Sequence, residues 1–335
     1  MSATDFDPAR LQAVLDDHLG AAPVTDLTRI SGGQSNPTYF VTHGGRRMVL
    51  RKQPNGEILK GAHAIDREYR VMQALGPAGV PVPQVVLFHD DASALGTPFY
   101  LMERLEGRVF EDCSLPEVDP AERRQIYLGM ADALARLHSV DPEAIGLGDY
   151  GKPGNYFARQ VGRWTKQLHG STGEPIPELH RLSDWLNANL PEDDGQSRIA
   201  HGDFRLGNLM FHPTVPRVIA ILDWELSTLG HPLADLGYCC MTWHTTPQEY
   251  GGIRGLDLAA LNIPTKEEFV ARYEGQSPSG KLTDFHVIFS LFRFGVIFVG
   301  IADRARAGTA AGSNADQLAP LAQALGRRGL ELLPG

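Results

Sequence analysis

Hydrophobic and polar positions recur along this chain with two different periods, and the change of period divides it. Leu11, Val14, Leu15 and Leu19 stand three or four apart behind Asp7-Pro8 and ahead of Gly20, which predicts a helix with a capping aspartate, a first-turn proline and a glycine stop. Between residues 24 and 51 the period falls to two. Runs at 24–30, 38–42 and 46–51, rich in β-branched residues and separated by glycine-containing turns, read as an antiparallel meander. A helix at 62–75 follows, with Tyr69, Met72 and Leu75 on its apolar stripe. Val80-Pro81-Val82-Pro83 then breaks the chain before a strand at 84–89, and after a turn at 90–97 a buried strand at 98–103 leads to Gly107.

Beyond Gly107 the pattern is mainly helical. Ile126, Met130, Leu134 and Leu137 predict a helix over 119–138 behind Asp119-Pro120. Further helices are expected at 155–168, at 179–190, from Pro232 onward, at 265–273, at 282–307 and at 315–333. The helix at 282–307 is apolar round much of its circumference and therefore buried, so Arg293 and Asp303 on it need partners. The expected architecture is α+β in two lobes: a small antiparallel-sheet lobe at 1–104 and a larger, mainly helical lobe at 105–335. A length of 335 residues suits two domains.

Composition narrows the class. With 42% hydrophobic and 21% charged residues the chain is an ordinary globular one, and no apolar run approaches the ~20 residues of a membrane span. The polar, acidic start from Met1 to Asp7 lacks the basic and apolar segments of a signal peptide, so a cytoplasmic protein without a membrane partner is expected. A net charge of −9 without clustered Lys and Arg argues against nucleic acid. Cys113, Cys239 and Cys240 are an odd set with a vicinal pair, read as buried reduced thiols rather than a disulfide or a zinc site.

The candidate chemistry is concentrated in His201-Gly202-Asp203-Phe204-Arg205-Leu206-Gly207-Asn208 and in Ile221-Leu222-Asp223-Trp224-Glu225. Phe204, Leu206, Leu209, Met210 and Phe211 make the surroundings apolar, where Asp203 and Asn208 are costly unless a partner, a metal or a substrate satisfies them. An Asp with an Asn five positions on, then a second Asp leaving an apolar run, is the spacing kinases use for a base and two metal ligands. Asp203 would face an acceptor hydroxyl, and Asn208 and Asp223 would hold Mg²⁺ against nucleotide phosphates.

Upstream features fit such a site. Ser31-Gly32-Gly33-Gln34-Ser35-Asn36 is neither a dinucleotide fingerprint nor a P-loop, but Gly32, Gly33, Ser35 and Asn36 would let backbone amides approach phosphates. In Val49-Leu50-Arg51-Lys52, strand alternation lets only one cation enter a cleft. Val49 leaves room for an adenine, which favours Arg51 over Lys52. Glu68 either pairs with that cation or is a surface residue. Met102, Glu103 and Leu105 form a candidate hinge offering backbone groups to an adenine ring. Asp235 reads as a cap or loop tether. Trp164, Trp243 and His244 read as core or as the lining of an acceptor pocket.

These segments together resemble the aminoglycoside-phosphotransferase-like small-molecule kinases of the protein-kinase-like fold, in particular the branch attached to some acyl-CoA dehydrogenases. The H-G-D-x-x-x-x-N segment at 201–208 carries most of the resemblance. It implies an ATP- and Mg²⁺-dependent phosphotransferase acting on a small-molecule hydroxyl, with Asp203 as base, Asn208 and Asp223 as metal ligands, and Arg51 paired with Glu68 on the phosphates. It also implies Met210 in the adenine floor and Arg205 near the γ-phosphate or acceptor. Asp-Trp-Glu stands where protein kinases have Asp-Phe-Gly, which suits a constitutively active enzyme. Residues 276–335 hold six Lys and Arg against four Asp and Glu, which favours a neutral or anionic acceptor, such as a hydroxy acid or its CoA ester, over a polycationic aminoglycoside. The competing class is a nucleotide- or CoA-binding pseudokinase, and the presence of base, amide and second carboxylate speaks against it.

Overall fold

The structure is a computed structural model and describes residues 4–30, 36–56, 63–307 and 315–334, without the side chains of 315–317. It forms two compact units, Met1–Arg108 with Ile219–Leu226, and Val109–Val218 with Ser227–Gly335.

The first unit opens with α1 (Pro8–Leu19), where the Asp7 carboxylate accepts from the Ala9 amide and Gly20, at φ +90°, ends the helix. β1 (Val24–Arg29), β2 (Thr38–His43) and β3 (Arg46–Lys52) follow, then α2 (Ile65–Leu75), β4 (Val85–His89), the one-turn α3 (Ala92–Leu95) and β5 (Phe99–Glu103). The five strands pair antiparallel in the order β1-β2-β3-β5-β4. Gly44 and Gly45, both with positive φ, make the tight β2–β3 turn that a side chain would strain. One sheet face, with Tyr39, Val41, Met48, Leu50, Phe99 and Leu101, packs on Leu11 and Leu15 of α1. The period of two places Arg51 opposite Tyr100 and Lys52 opposite Phe99, so the two cations leave on opposite faces. α3 lies within the turn expected at 90–97: four residues are too few to show a period, although Asp91 caps them.

The segment Ile219–Leu226 departs from the expected division, which placed it in the second lobe. Its Ile221 amide donates to the Pro81 carbonyl at 2.8 Å, and its helical turn at Trp224–Leu226 packs on α2.

The second unit contains α4 (Pro120–Ser139), α5 (Tyr156–His169), α6 (Pro177–Ala188), β6 (Arg198–Ala200) and β7 (Leu209–Phe211). β8 (Val218–Ile221) carries the chain out of it, and β9 (Thr228–Gly230) returns to pair with β6. Then come α7 (Pro232–His244), the short α8 (Leu258–Leu261), α9 (Lys266–Glu274), α10 (Asp284–Arg306) and α11 (Ala315–Leu330). α10 is the core element, packed by α5, α6, α7 and α11. By length and composition it meets the requirement for a membrane span, contrary to the sequence reading, but 83% of its most apolar stretch is buried within the fold. The two residues expected to need partners have them: Arg293 donates to the Gly202 carbonyl at 3.1 Å, and Asp303 pairs with Arg306. All three cysteines are free; Cys239 and Cys240 are buried, whereas Cys113 is only partly so.

Candidate active site

In the first unit the residues of interest gather around Arg51. Its Nε lies 2.9 Å from Glu68 Oε2, and its Nη2 lies 3.1 Å from Asp223 Oδ1 and 3.7 Å from Glu225 Oε2. Burial on its own would lower the guanidinium pKa, but the negative charge of Glu68 and then of the neighbouring groups outweighs it and holds the pKa above the ordinary arginine value. Glu68 is 2% exposed and is no surface residue. Its carboxylate also accepts from Asn36 Nδ2 at 2.8 Å and from the Tyr100 hydroxyl at 3.0 Å, so it is fully engaged as an anchor for the cation. Asp223 adopts φ +62°, a left-handed conformation that Asp tolerates, and the Trp224 indole closes the turn by donating to the Ile221 carbonyl at 3.0 Å.

Several expectations change here. Lys52, held as the second phosphate cation, is fully buried on the α1 face, where Asp5 at 2.9 Å and Asn55 at 3.1 Å hold its ammonium. Asn36, whose backbone amide was expected near phosphates, has its side chain turned inward: its amide group donates to Glu68, and its Oδ1 lies 2.9 Å from His63 Nδ1. Gly32, Gly33 and Ser35 lie outside the described residues. In the candidate hinge, Met102 is paired within β5. The Glu103 amide and carboxylate are both engaged by Gln84 at 2.8 Å. Among the described residues, the Leu105 N–H and C=O have no backbone partner.

In the second unit a short helical turn at Leu206–Asn208 folds Asn208 back onto Asp203. Asn208 Nδ2 donates to Asp203 Oδ2 at 2.8 Å and to the Asp203 carbonyl at 2.9 Å. Both amide hydrogens are thereby used, and Oδ1 is the atom of Asn208 left to bind a cation. The other carboxylate oxygen of Asp203 accepts from the Tyr238 hydroxyl at 2.5 Å, and the Tyr250 hydroxyl lies 3.2 Å from that of Tyr238. A carboxylate has no proton to give, so the single Tyr238 proton goes to Asp203 and Tyr250 must donate to Tyr238. Burial, then Tyr250 and Asp203, push the Tyr238 phenol well above its ordinary pKa and keep it a donor. Phe294 of α10 stacks on Tyr238 with ring centroids 4.5 Å apart.

The loop before Asp203 is tied from behind. Asp235, 2% exposed at the start of α7, accepts from the His201 amide at 2.6 Å and the Gly202 amide at 2.9 Å, and lies 3.2 Å from His138 Nε2. Burial would raise its pKa, but the His138 and backbone hydrogen bonds overcome that and lower it. Asp203, Arg205, Tyr238 and Tyr250 line a cavity of about 340 Å³ together with Glu111 and Thr242. Arg205 lies 3.3 Å from Glu111 and 3.7 Å from Asp203. Met210 is half-buried on β7. Trp164, Trp243 and His244 are not in that cavity's lining; Trp243 donates to the Pro264 carbonyl and packs on Tyr127 and Phe269. Tyr238 and Tyr250 were missed from sequence. The spacing Asp235-Leu-Gly-Tyr238 is the signal that was available, since positions i and i+3 share one helix face.

Comparison with solved proteins places this fold among small-molecule phosphotransferases. A Ralstonia eutropha protein, proposed to be an aminoglycoside phosphotransferase, is 44% identical, with a TM-score of 0.87 over 98% of this chain and 100% of that one. The aminoglycoside phosphotransferase APH(4)-Ia, solved with AMP-PNP and hygromycin B, shares the fold alone, at 16% identity and a TM-score of 0.64 over 97% of this chain and 99% of that one. The family model described as phosphotransferase enzyme family matches residues 26–268, and this chain belongs to that family. Acyl-CoA dehydrogenase family member 10 of Mus musculus is 44% identical over 306 residues, which is 90% of this chain and 28% of that protein. Family member 11 of Gallus gallus is 41% identical over 338 residues, 98% of this chain and 43% of that protein. The chain thus spans less than half the length of these relatives.

Proposed function

We propose that this small-molecule kinase uses ATP and Mg²⁺ to phosphorylate the hydroxyl of a small metabolite, with a hydroxy acid or hydroxyacyl-CoA favoured over an aminoglycoside. The observation that carries the reading is Asp203: a carboxylate with each oxygen engaged by a donor, on the wall of a cavity about 340 Å³ in volume. Both oxygens stand as acceptors, which is the role a base needs. Asp203 would orient the acceptor hydroxyl and take its proton. Tyr238 and Asn208 fix the plane of its carboxylate, while Arg51, anchored by Glu68, neutralises phosphate charge. Asn208 Oδ1 and the Asp223 carboxylate are hard oxygen donors of the kind Mg²⁺ takes alongside phosphate oxygens. When bound, the ion supplies charge neutralisation on the transferred phosphoryl group. Leu105 would offer its backbone groups to the adenine, and Met210 and Met102 its apolar faces.

The acceptor preference rests on the cavity. Its charged lining is Asp203, Glu111 and Arg205, too few carboxylates for a polycation. The surplus of Lys and Arg in 276–335 supports it less than the sequence suggested, because Arg306 is taken by Asp303, and Arg328 by Glu249 and Glu331. The relatives named as acyl-CoA dehydrogenases add weight to an acyl acceptor. The test is Mg²⁺-dependent ADP release with hydroxy acids, hydroxyacyl-CoA esters and hygromycin B, for the native protein and Asp203→Asn. We expect the variant to lose about 10²–10⁴-fold in turnover with ATP affinity nearly unchanged. Near-native turnover would remove Asp203 from the mechanism.

A further inference from the structure

Arg51 faces more negative charge than one guanidinium balances. Glu68, at 2.9 Å, is an anchor whose oxygens also accept from Asn36 and Tyr100. Asp223 and Glu225 then reach the same Nη2, at 3.1 and 3.7 Å, from side chains 34% and 31% exposed. Among the described residues, Glu225 has no other hydrogen bond or ion pair, so its charge is answered by Arg51 alone. Three carboxylates around one cation leave an acidic face at the position where a nucleotide's phosphates would bring further negative charge.

A divalent cation changes this balance unequally. Asp223 can exchange Arg51 for the metal, so its charge is matched in a metal–nucleotide complex. Glu225 would stay beside Arg51, and would repel any phosphate oxygen that arrives there without a cation. We propose that Glu225 is a specificity-determining residue that makes nucleotide binding conditional on a divalent ion, admitting the metal complex of a nucleoside triphosphate and disfavouring the free anion. The inference rests on the nucleotide reading above and adds to it a discrimination between two forms of the same ligand. It also gives Asp-Trp-Glu a function: where the third position is glycine, no such charge stands beside the cation.

The experiment is calorimetric titration of ATP into the native protein and into Glu225→Gln, each in EDTA and in excess Mg²⁺. Glutamine keeps the shape and removes the charge. One unit charge a few ångströms from the phosphates at a partly exposed site corresponds to about a 5- to 10-fold change in affinity. We expect Glu225→Gln to bind ATP that much more tightly in EDTA and within about 2-fold of native in Mg²⁺, so that the Mg²⁺ dependence contracts. Glu225→Ala should shift in the same direction, and unchanged melting temperatures should show that both variants fold. Equal affinities in EDTA would overturn the proposal. So would a loss confined to the Mg²⁺ titration, which would make Glu225 a metal ligand. If the native protein bound ATP in neither buffer, the nucleotide reading itself would fall.

Discussion

Tyr238 shows how much of a site can hang on one hydroxyl. It donates to Asp203 at 2.5 Å while accepting from Tyr250, and in so short a chain each bond polarises the next. Tyr238→Phe keeps the ring and its stack on Phe294 but leaves one oxygen of Asp203 and the Tyr250 hydroxyl without partners. We expect a stability loss of about 1–2 kcal/mol in urea titration and a fall of roughly 10-fold in Mg²⁺-dependent ADP release, with ATP affinity intact. Native turnover would show that Asn208 alone holds the base. At this scale the sequence was partly legible. Asp203, Asn208 and Asp223 stand out because their spacing is local; strand alternation sends Arg51 and Lys52 to opposite faces, and Val49 is what favours Arg51. Tyr238 lies 35 positions from Asp203, and no periodicity links them.

At the scale of elements, α7 does more than fill the core. Its first turn places Asp235 against the amides of His201 and Gly202, and its second places Tyr238 against Asp203, so one rigid helix sets both ends of the loop. The tether was expected of Asp235 because an acidic residue near a helix start so often binds nearby amides; which loop it would hold was not readable. We expect Asp235→Asn to cost about 2–4 kcal/mol, since an amide cannot accept from two backbone N–H groups and His138 together. The pH dependence has a definite sign. The native pKa of Asp235 is lowered, so its contribution is present above the unfolded carboxyl value of about 3.9 and is lost as pH falls through the folded value. Unfolding curves of native and variant proteins should therefore differ fully at neutral pH and converge in acid. A gap that held constant into strong acid would mean that Asp235 is not ionised in the fold. α3 and α8, of four residues each, escaped the sequence because one turn has no period to detect.

For the whole molecule, the α+β division was legible from the change of period, whereas the path of the chain was not. The pattern puts a boundary near Gly107, whereas the first unit is Met1–Arg108 together with Ile219–Leu226 from far along the chain. No hydrophobic pattern announces such a return, because Val218–Ile221 reads as an ordinary apolar strand. The returning segment brings the Ile221 amide to the Pro81 carbonyl, packs Trp224 at 2% exposure and supplies Asp223 to Arg51. A fragment of residues 1–108 would contain the entire five-stranded sheet and yet lack these contacts. Arg51 would keep Glu68 but lose two of its three carboxylates, and α2 would expose the surface that the Trp224 turn covers. We expect such a fragment to melt without a cooperative transition, or at least 10 °C below the full chain, a loss of several kcal/mol. It should also bind no ATP in Mg²⁺ titrations in which the full chain does. Cooperative melting at the temperature of the 335-residue chain, with ATP binding retained, would show that the segment decorates a self-sufficient sheet rather than completing it.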